Sequence, residues 1–150
     1  PAFAKAQVAA GNGLPLKGTV FVTVNDTDKP QLLPIARRFR SMGFTLVATE
    51  GTAQYLRERG VPSDVVHKVS VARPNGLDLL KNDAVQLLIN TPLGMRALRD
   101  DDSLRQAAIS RRVPYTTTLS AAGAACDAIE SLIAHTAGVK SIQEWQQEIV

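Results

Sequence analysis

Thr49-Glu50-Gly51-Thr52 lies between a β-rich run and the opening of a helical stretch, and it carries the sharpest chemical signal in the sequence. A strand-to-helix turn presents free backbone N–H groups and the positive end of a helix dipole, which together attract an anion. Gly51 lets the backbone approach a ligand closely, and the hydroxyls of Thr49 and Thr52 can donate to phosphate oxygens. Two ammonium groups fall at matching places, Lys29 after the first β-rich run and Lys68 after the third. Thr23, Asn90 and Thr91 close the first and fourth runs and add hydroxyls and an amide. The chemistry such a set could perform is recognition of a phosphate-bearing small molecule. The plainer reading is that Gly-Thr is a common helix opening, Thr52 a cap, and the remaining polar groups a solvated rim.

Other reactive residues carry weaker signals. Cys126 is the single cysteine, which excludes an internal disulfide framework and a Cys-rich zinc site; it reads as a small core residue. With only His67 and His135, a His-based metal centre is not expected. Asp100-Asp101-Asp102 looks like a metal cluster, but three adjacent acids cannot all face one ion, and capping of the following helix is the expectation. Arg96, Arg99, Arg105, Arg111 and Arg112 are interspersed with acids, and aromatics are 5% of the chain, so a solvated face is expected rather than a nucleic-acid surface. Ser120 has no G-x-S-x-G elbow around it. Neither a Walker P-loop nor G-x-G-x-x-G occurs.

These residues need elements to position them. Thr19-Val20-Phe21-Val22-Thr23-Val24 is a β-branched run of the kind covered on both faces. A helix is predicted next, with Leu32, Leu33, Ile35, Ala36 and Phe39 inward and Arg37, Arg38 and Arg40 outward. Pro30 suits its first turn, whereas Pro34 sits awkwardly inside it. Further strands are predicted over 44–48, around Val65-Val66, over 85–90 and over 113–116. Helices are predicted from Gly51 through Arg59, over 76–81, from Asp102 or Ser103 to Arg111, from Ser120 to His135, and from Ser141 to Trp145. Strands separated by single helices mark right-handed crossovers and a parallel sheet. The expected fold is therefore α/β, a three-layer α/β/α arrangement with about five parallel strands. In such a sheet ligands bind beyond the carboxyl ends of the strands, where the threonines and lysines fall.

Length and composition agree. The chain has 150 residues, with 45% hydrophobic, 21% charged and a formal charge of +3. That is one ordinary globular domain. No apolar run approaches the ~20 residues of a membrane span, and no signal peptide opens the chain, so a cytoplasmic setting without membrane partner is expected. Phe3 to Ala10 is helix-prone, Gly11-Asn12-Gly13 ends it, and Leu14-Pro15-Leu16-Lys17-Gly18 reads as linker. The expected division is residues 1–17 as the tail of a preceding region and 18–150 as the domain.

The series of strand ends also resembles a known family. Thr23 to Lys29, Ala48 to Ala53, Lys68 to Pro74, Ile89 to Pro92 and Pro114 to Leu119 are similar to the methylglyoxal-synthase-like domain, and more closely to the C-terminal regulatory domain of carbamoyl-phosphate synthase large chains. Phe3 to Gln7 resembles the end of the preceding synthetase region, and Ser141 to Trp145 the natural C-terminal helix. The resemblance implies allosteric control rather than chemistry, with no catalytic residue and no cofactor in this segment. The parent enzyme, a glutamine-hydrolysing ligase of arginine and pyrimidine biosynthesis, would use ATP and Mg or Mn. Its partners would be the rest of the large chain, its glutamine amidotransferase small chain, and effectors of the UMP, IMP and ornithine classes. Effector- and phosphate-binding positions carry over as Thr23, Lys29, Thr49, Gly51, Thr52, Lys68, Asn90 and Thr91, with Tyr115 and Thr117 linked to ornithine. The alternative implied by the same fold is a small-phosphate lyase of the methylglyoxal synthase type. Arg73, in Ala72-Arg73-Pro74-Asn75, stands where that enzyme carries its catalytic aspartate, and a guanidinium cannot act as the base. Pro92 and Met95 replace a hydroxyl and an Arg found in some family members, which loses donors to a nucleotide.

Overall fold

The computed structural model describes residues 13–69, 72–91 and 94–149. The predicted helix over Phe3 to Ala10, and Ser70, Val71 and Pro92, lie outside them. Five parallel strands form one sheet in the order β3-β2-β1-β4-β5, with β1 Thr19–Val24, β2 Thr45–Thr49, β3 Asp64–Val66, β4 Leu87–Thr91 and β5 Tyr115–Thr116. The helices are α1 Lys29–Ser41, α2 Glu50–Glu58, α3 Gly76–Lys81, α4 Gly94–Ser110 and α5 Leu119–Ile149, and a 3-10 turn, Asp26–Asp28, leads into α1.

Alternation along the strands divides the apolar residues between two layers. Val20, Val22, Val24, Leu46, Ala48, Leu87 and Ile89 pack with α1, α2 and α5 through Leu32, Ala36, Phe39, Leu56, Ala122, Cys126 and Ile129. Phe21, Val47, Val66 and Leu88 pack on the other face with α3 and α4 through Leu80, Leu104 and Ala108. Both faces are thus covered, as an all-parallel sheet requires. Gly76 opens α3 tightly against this second layer: a Cβ there would lie 2.2 Å from the Phe21 ring and 2.9 Å from Leu104.

Several boundaries differ from the predicted ones. α4 begins at Gly94 instead of Asp102, so the three aspartates lie inside the helix and do not cap it. The residues before them, Met95, Arg96, Ala97, Leu98 and Arg99, are good helix formers, and they extend the helix upstream. The two predicted C-terminal helices are one continuous helix, because a lone Gly138 costs only about 1 kcal/mol and does not break it. Thr118 caps this helix by accepting the Ala121 N–H at 3.1 Å. α1 runs through Pro34, where the unpaired carbonyl belongs to exposed Pro30 and can face water.

At the ends of helices away from the carboxyl edge, arginines serve backbone carbonyls. Arg40 donates to Phe44 O at 3.2 Å, Arg57 to Ser63 O at 2.7 Å, Arg59 to Tyr55 O at 3.1 Å, and Arg111 to Lys81 O at 2.6 Å. These groups complement the negative ends of α1, α2, α3 and the loops that follow them. Among the described residues no helix is long and apolar enough to cross a membrane.

Candidate functional site

The chain winds from β1 outward to β2 and β3, then returns past β1 to β4 and β5. The reversal creates a switch point at the carboxyl ends of β1 and β4, the position at which sheets of this kind hold ligands. β1 ends at Val24, Asn25 stops it, and the Asn25 N–H donates to Thr91 Oγ1 at 3.0 Å. Asn25 also accepts the Asp28 N–H at 2.9 Å, which folds the 3-10 turn and aims α1 back across the sheet.

That turn brings Lys29 to the neighbouring strand end. Its side chain is only 12% exposed, and a Cβ built on Gly51 would lie 3.9 Å from its Nζ. The ammonium therefore stands beside the first turn of α2. Thr49 is the N-cap of that helix in extended conformation, yet its side chain makes no cap hydrogen bond. Its hydroxyl instead reaches Thr23 Oγ1 at 3.3 Å. The Thr52 hydroxyl turns to the backbone of Val24, 3.4 Å from the carbonyl oxygen. Both threonine hydroxyls of the turn are thus directed at β1. What the turn offers outward is its leading backbone N–H groups, without a side-chain cap, and the adjacent ammonium.

Thr23 stands in register with Asn90 on β4. Thr49, Thr23 and Asn90 therefore form a polar row across three adjacent strands on the face that α3 and α4 cover. Asn90 is buried, and its Oδ1 has no hydrogen-bond partner among the described residues. A buried carbonyl without a partner is costly, and most such groups in folded proteins are hydrogen-bonded. Thr116 Oγ1 on β5 is likewise buried and unpartnered, although Thr116 pairs with Ile89 and so faces the opposite layer.

At the end of β3, His67 and Lys68 are exposed. The Asp26 carboxyl is held below the usual carboxylate range, first by its hydrogen bond and ion pair with Lys29, and further by the charge of Lys68. Lys68 follows β3, so both ammonium groups belong to the carboxyl edge of the sheet. Asp26 belongs to the same edge, three residues before the lysine it pairs with.

The stretch that follows is locked locally. Asn75 caps α3 by accepting the Leu77 N–H at 2.9 Å, and Asp78 accepts the Asn75 N–H at 3.0 Å. Arg73 Nε donates to Asp78 at 3.1 Å, and this guanidinium, with the Asn75 N–H, lowers the Asp78 pKa. Tyr115, half-buried against the second layer, and exposed Thr117 lie at the β5 end, away from the Lys29 group. Among the described residues no three His, Cys, Asp or Glu side chains are grouped to hold a metal ion.

The family model described as MGS-like domain matches residues 31–117. A carbamoyl phosphate synthase large chain from Gemmatimonas aurantiaca is 53% identical over 146 residues, which cover 97% of this chain and 13% of that one. A protein named carbamoyl phosphate synthase large chain, C-terminal section, from Methanopyrus kandleri is 51% identical over 130 residues, covering 86% of this chain and 24% of that one. The chain spans between about an eighth and a quarter of the length of these relatives. Among solved structures, methylglyoxal synthase from Elizabethkingia anophelis aligns with a TM-score of 0.57 over 73% of this chain and 77% of its own, at 16% identity. The last likeness bears on the fold alone and agrees with the five-stranded parallel sheet.

Proposed function

The chain belongs to the MGS-like domain family, and from that premise we propose that it is the effector-binding regulatory domain of a glutamine-hydrolysing carbamoyl phosphate synthase large chain, taking a nucleoside monophosphate of the UMP or IMP type at the carboxyl edge of its sheet. The relatives that carry that name at 53% and 51% identity support the parent assignment. The observation that carries the ligand class is the placement of the Lys29 ammonium beside the uncapped first turn of α2, since a phosphate needs both charge and convergent N–H donors. Lys68 supplies a second positive charge, and Thr23, Thr49, Gly51, Thr52, Asn90 and Thr91 line the same edge. The unpartnered Asn90 Oδ1 suits a ligand that also carries a donor, such as a sugar hydroxyl.

Control would work by linkage: an effector with higher affinity for one global state of the synthase shifts the enzyme toward that state. ATP with Mg or Mn would act elsewhere in the parent enzyme, with the amidotransferase small chain as partner. Ornithine would act near Tyr115 and Thr117, apart from the nucleotide. Calorimetric titration of the chain with UMP and IMP tests the reading. Saturable binding of either is expected, and absence of binding by both would overturn it.

The lyase alternative has a specific obstacle. The carboxylate near the required position is Asp78, and it is committed to Arg73 and the Asn75 N–H, which lower its proton affinity. A base with lowered pKa is poorly suited to carbon deprotonation. Robust formation of methylglyoxal from dihydroxyacetone phosphate would reverse this ranking.

A further inference from the structure

We infer that Asp26 is a built-in competitor for the anion site, a carboxylate that holds the Lys29 ammonium in the unliganded chain and must yield it when a phosphate binds. The inference rests on the proposed phosphate site and adds a means by which its affinity is set. Three observations carry it. Asp26 pairs with Lys29 Nζ, the same atom that stands beside the first turn of α2. The two side chains differ sharply in freedom, since Asp26 is 90% exposed and Lys29 is 12% exposed. The ammonium is therefore held in place by the fold, while the carboxylate can swing into solvent at little cost. Finally, Asp26 also feels Lys68, so its charge lies within the field of both cations that the ligand would use.

An incoming phosphate would thus meet one negative charge already placed against its main cation. Two anions sharing one ammonium repel, and the exposed one departs. Asp26 reduces affinity for every anionic ligand, while leaving contacts to the neutral part of a ligand unchanged. The opposite expectation is that Asp26 pre-positions Lys29 and so aids binding, and the two predict opposite signs.

Asp26→Asn keeps the size of the side chain and removes its charge. In calorimetric titration of the chain, UMP and inorganic phosphate are both expected to bind about 1.5- to fivefold tighter to Asp26→Asn, the range set by an exposed ion pair. Most of this gain is expected to vanish when Asp26→Asn is made in a Lys29→Ala background, because the effect passes through that ammonium. Unchanged or weaker binding of UMP by Asp26→Asn, with normal binding by the parent chain, would overturn the competitor role and leave the phosphate site standing. Failure of the parent chain to bind UMP, IMP or phosphate would overturn both.

Discussion

The backbone N–H of Asn25 donates to the side-chain oxygen of Thr91 at 3.0 Å, joining the carboxyl ends of β1 and β4 where the winding of the sheet reverses. Asn25 is also the residue whose side chain accepts the Asp28 N–H and starts the turn that delivers Lys29. One residue therefore ties the switch point to the position of the ammonium.

Replacing Thr91 by Val keeps the shape of the side chain and removes that acceptor. The Asn25 N–H would be left without it, at a cost of about 1–3 kcal/mol. Thr91→Ser should retain most of the stability. Urea unfolding that shows Thr91→Val as stable as the parent would refute this role.

Lys29→Ala and Lys68→Ala should each weaken UMP binding by ~1.5–3 kcal/mol, the worth of a charge-assisted hydrogen bond. The larger loss is expected for Lys29, whose side chain is held against α2 while Lys68 is exposed. Calorimetry giving equal affinities for parent and variants would remove these residues from the site.

Asn90→Leu exchanges a buried, unsatisfied amide oxygen for an apolar group of similar size. The unliganded chain should gain about 1 kcal/mol of stability, because the desolvation penalty of the oxygen disappears. Nucleotide binding should be lost at the same time. A variant that binds UMP normally would show that the oxygen has no ligand role.

Much of this arrangement was legible in the residues. The apolar run from Thr19 to Val24 and its successors gave a parallel α/β sheet, because strands buried on both faces leave a continuous β-branched record. Lys29 and Lys68 could be placed on one rim, because the ends of parallel strands share an edge. The direction of the Thr49 and Thr52 hydroxyls was not legible. It depends on register with β1, a contact between residues 26 or more apart. The start of α4 was misplaced because Asp102 resembles a cap, whereas the helix formers upstream decide the boundary.

Gly76→Ala should destabilise the chain by ~1–3 kcal/mol through overpacking, since the new methyl would sit 2.2 Å from Phe21 and displace its ring. Phe21→Leu in the same background should recover part of the loss. Thermal melts that place Gly76→Ala level with the parent would contradict the packing described for α3.

Cys126 gives a pH dependence with a defined sign. Burial pushes its thiol pKa from 9.0 to about 11. Between those values the unfolded thiol has released its proton and the folded one has not. Stability from this group is intact below pH 9 and falls as pH rises toward about 11. Urea titrations across that window should show a steeper decline for the parent than for Cys126→Ala, and parallel curves would rule the thiol out.

The arginines that donate to helix-end and loop carbonyls differ in kind from Lys29. Arg40, Arg57, Arg59 and Arg111 are structural cations, directed at oxygens of the main chain that cannot leave. Lys29 instead pairs with the exposed carboxylate of Asp26, which the proposed ligand would displace. Added electrolyte competes more readily for the Lys29–Asp26 pair, whose carboxylate is exposed, than for directional guanidinium–carbonyl contacts. Ionic strength would therefore regulate occupancy of the proposed anion site while the scaffold that presents it stays folded.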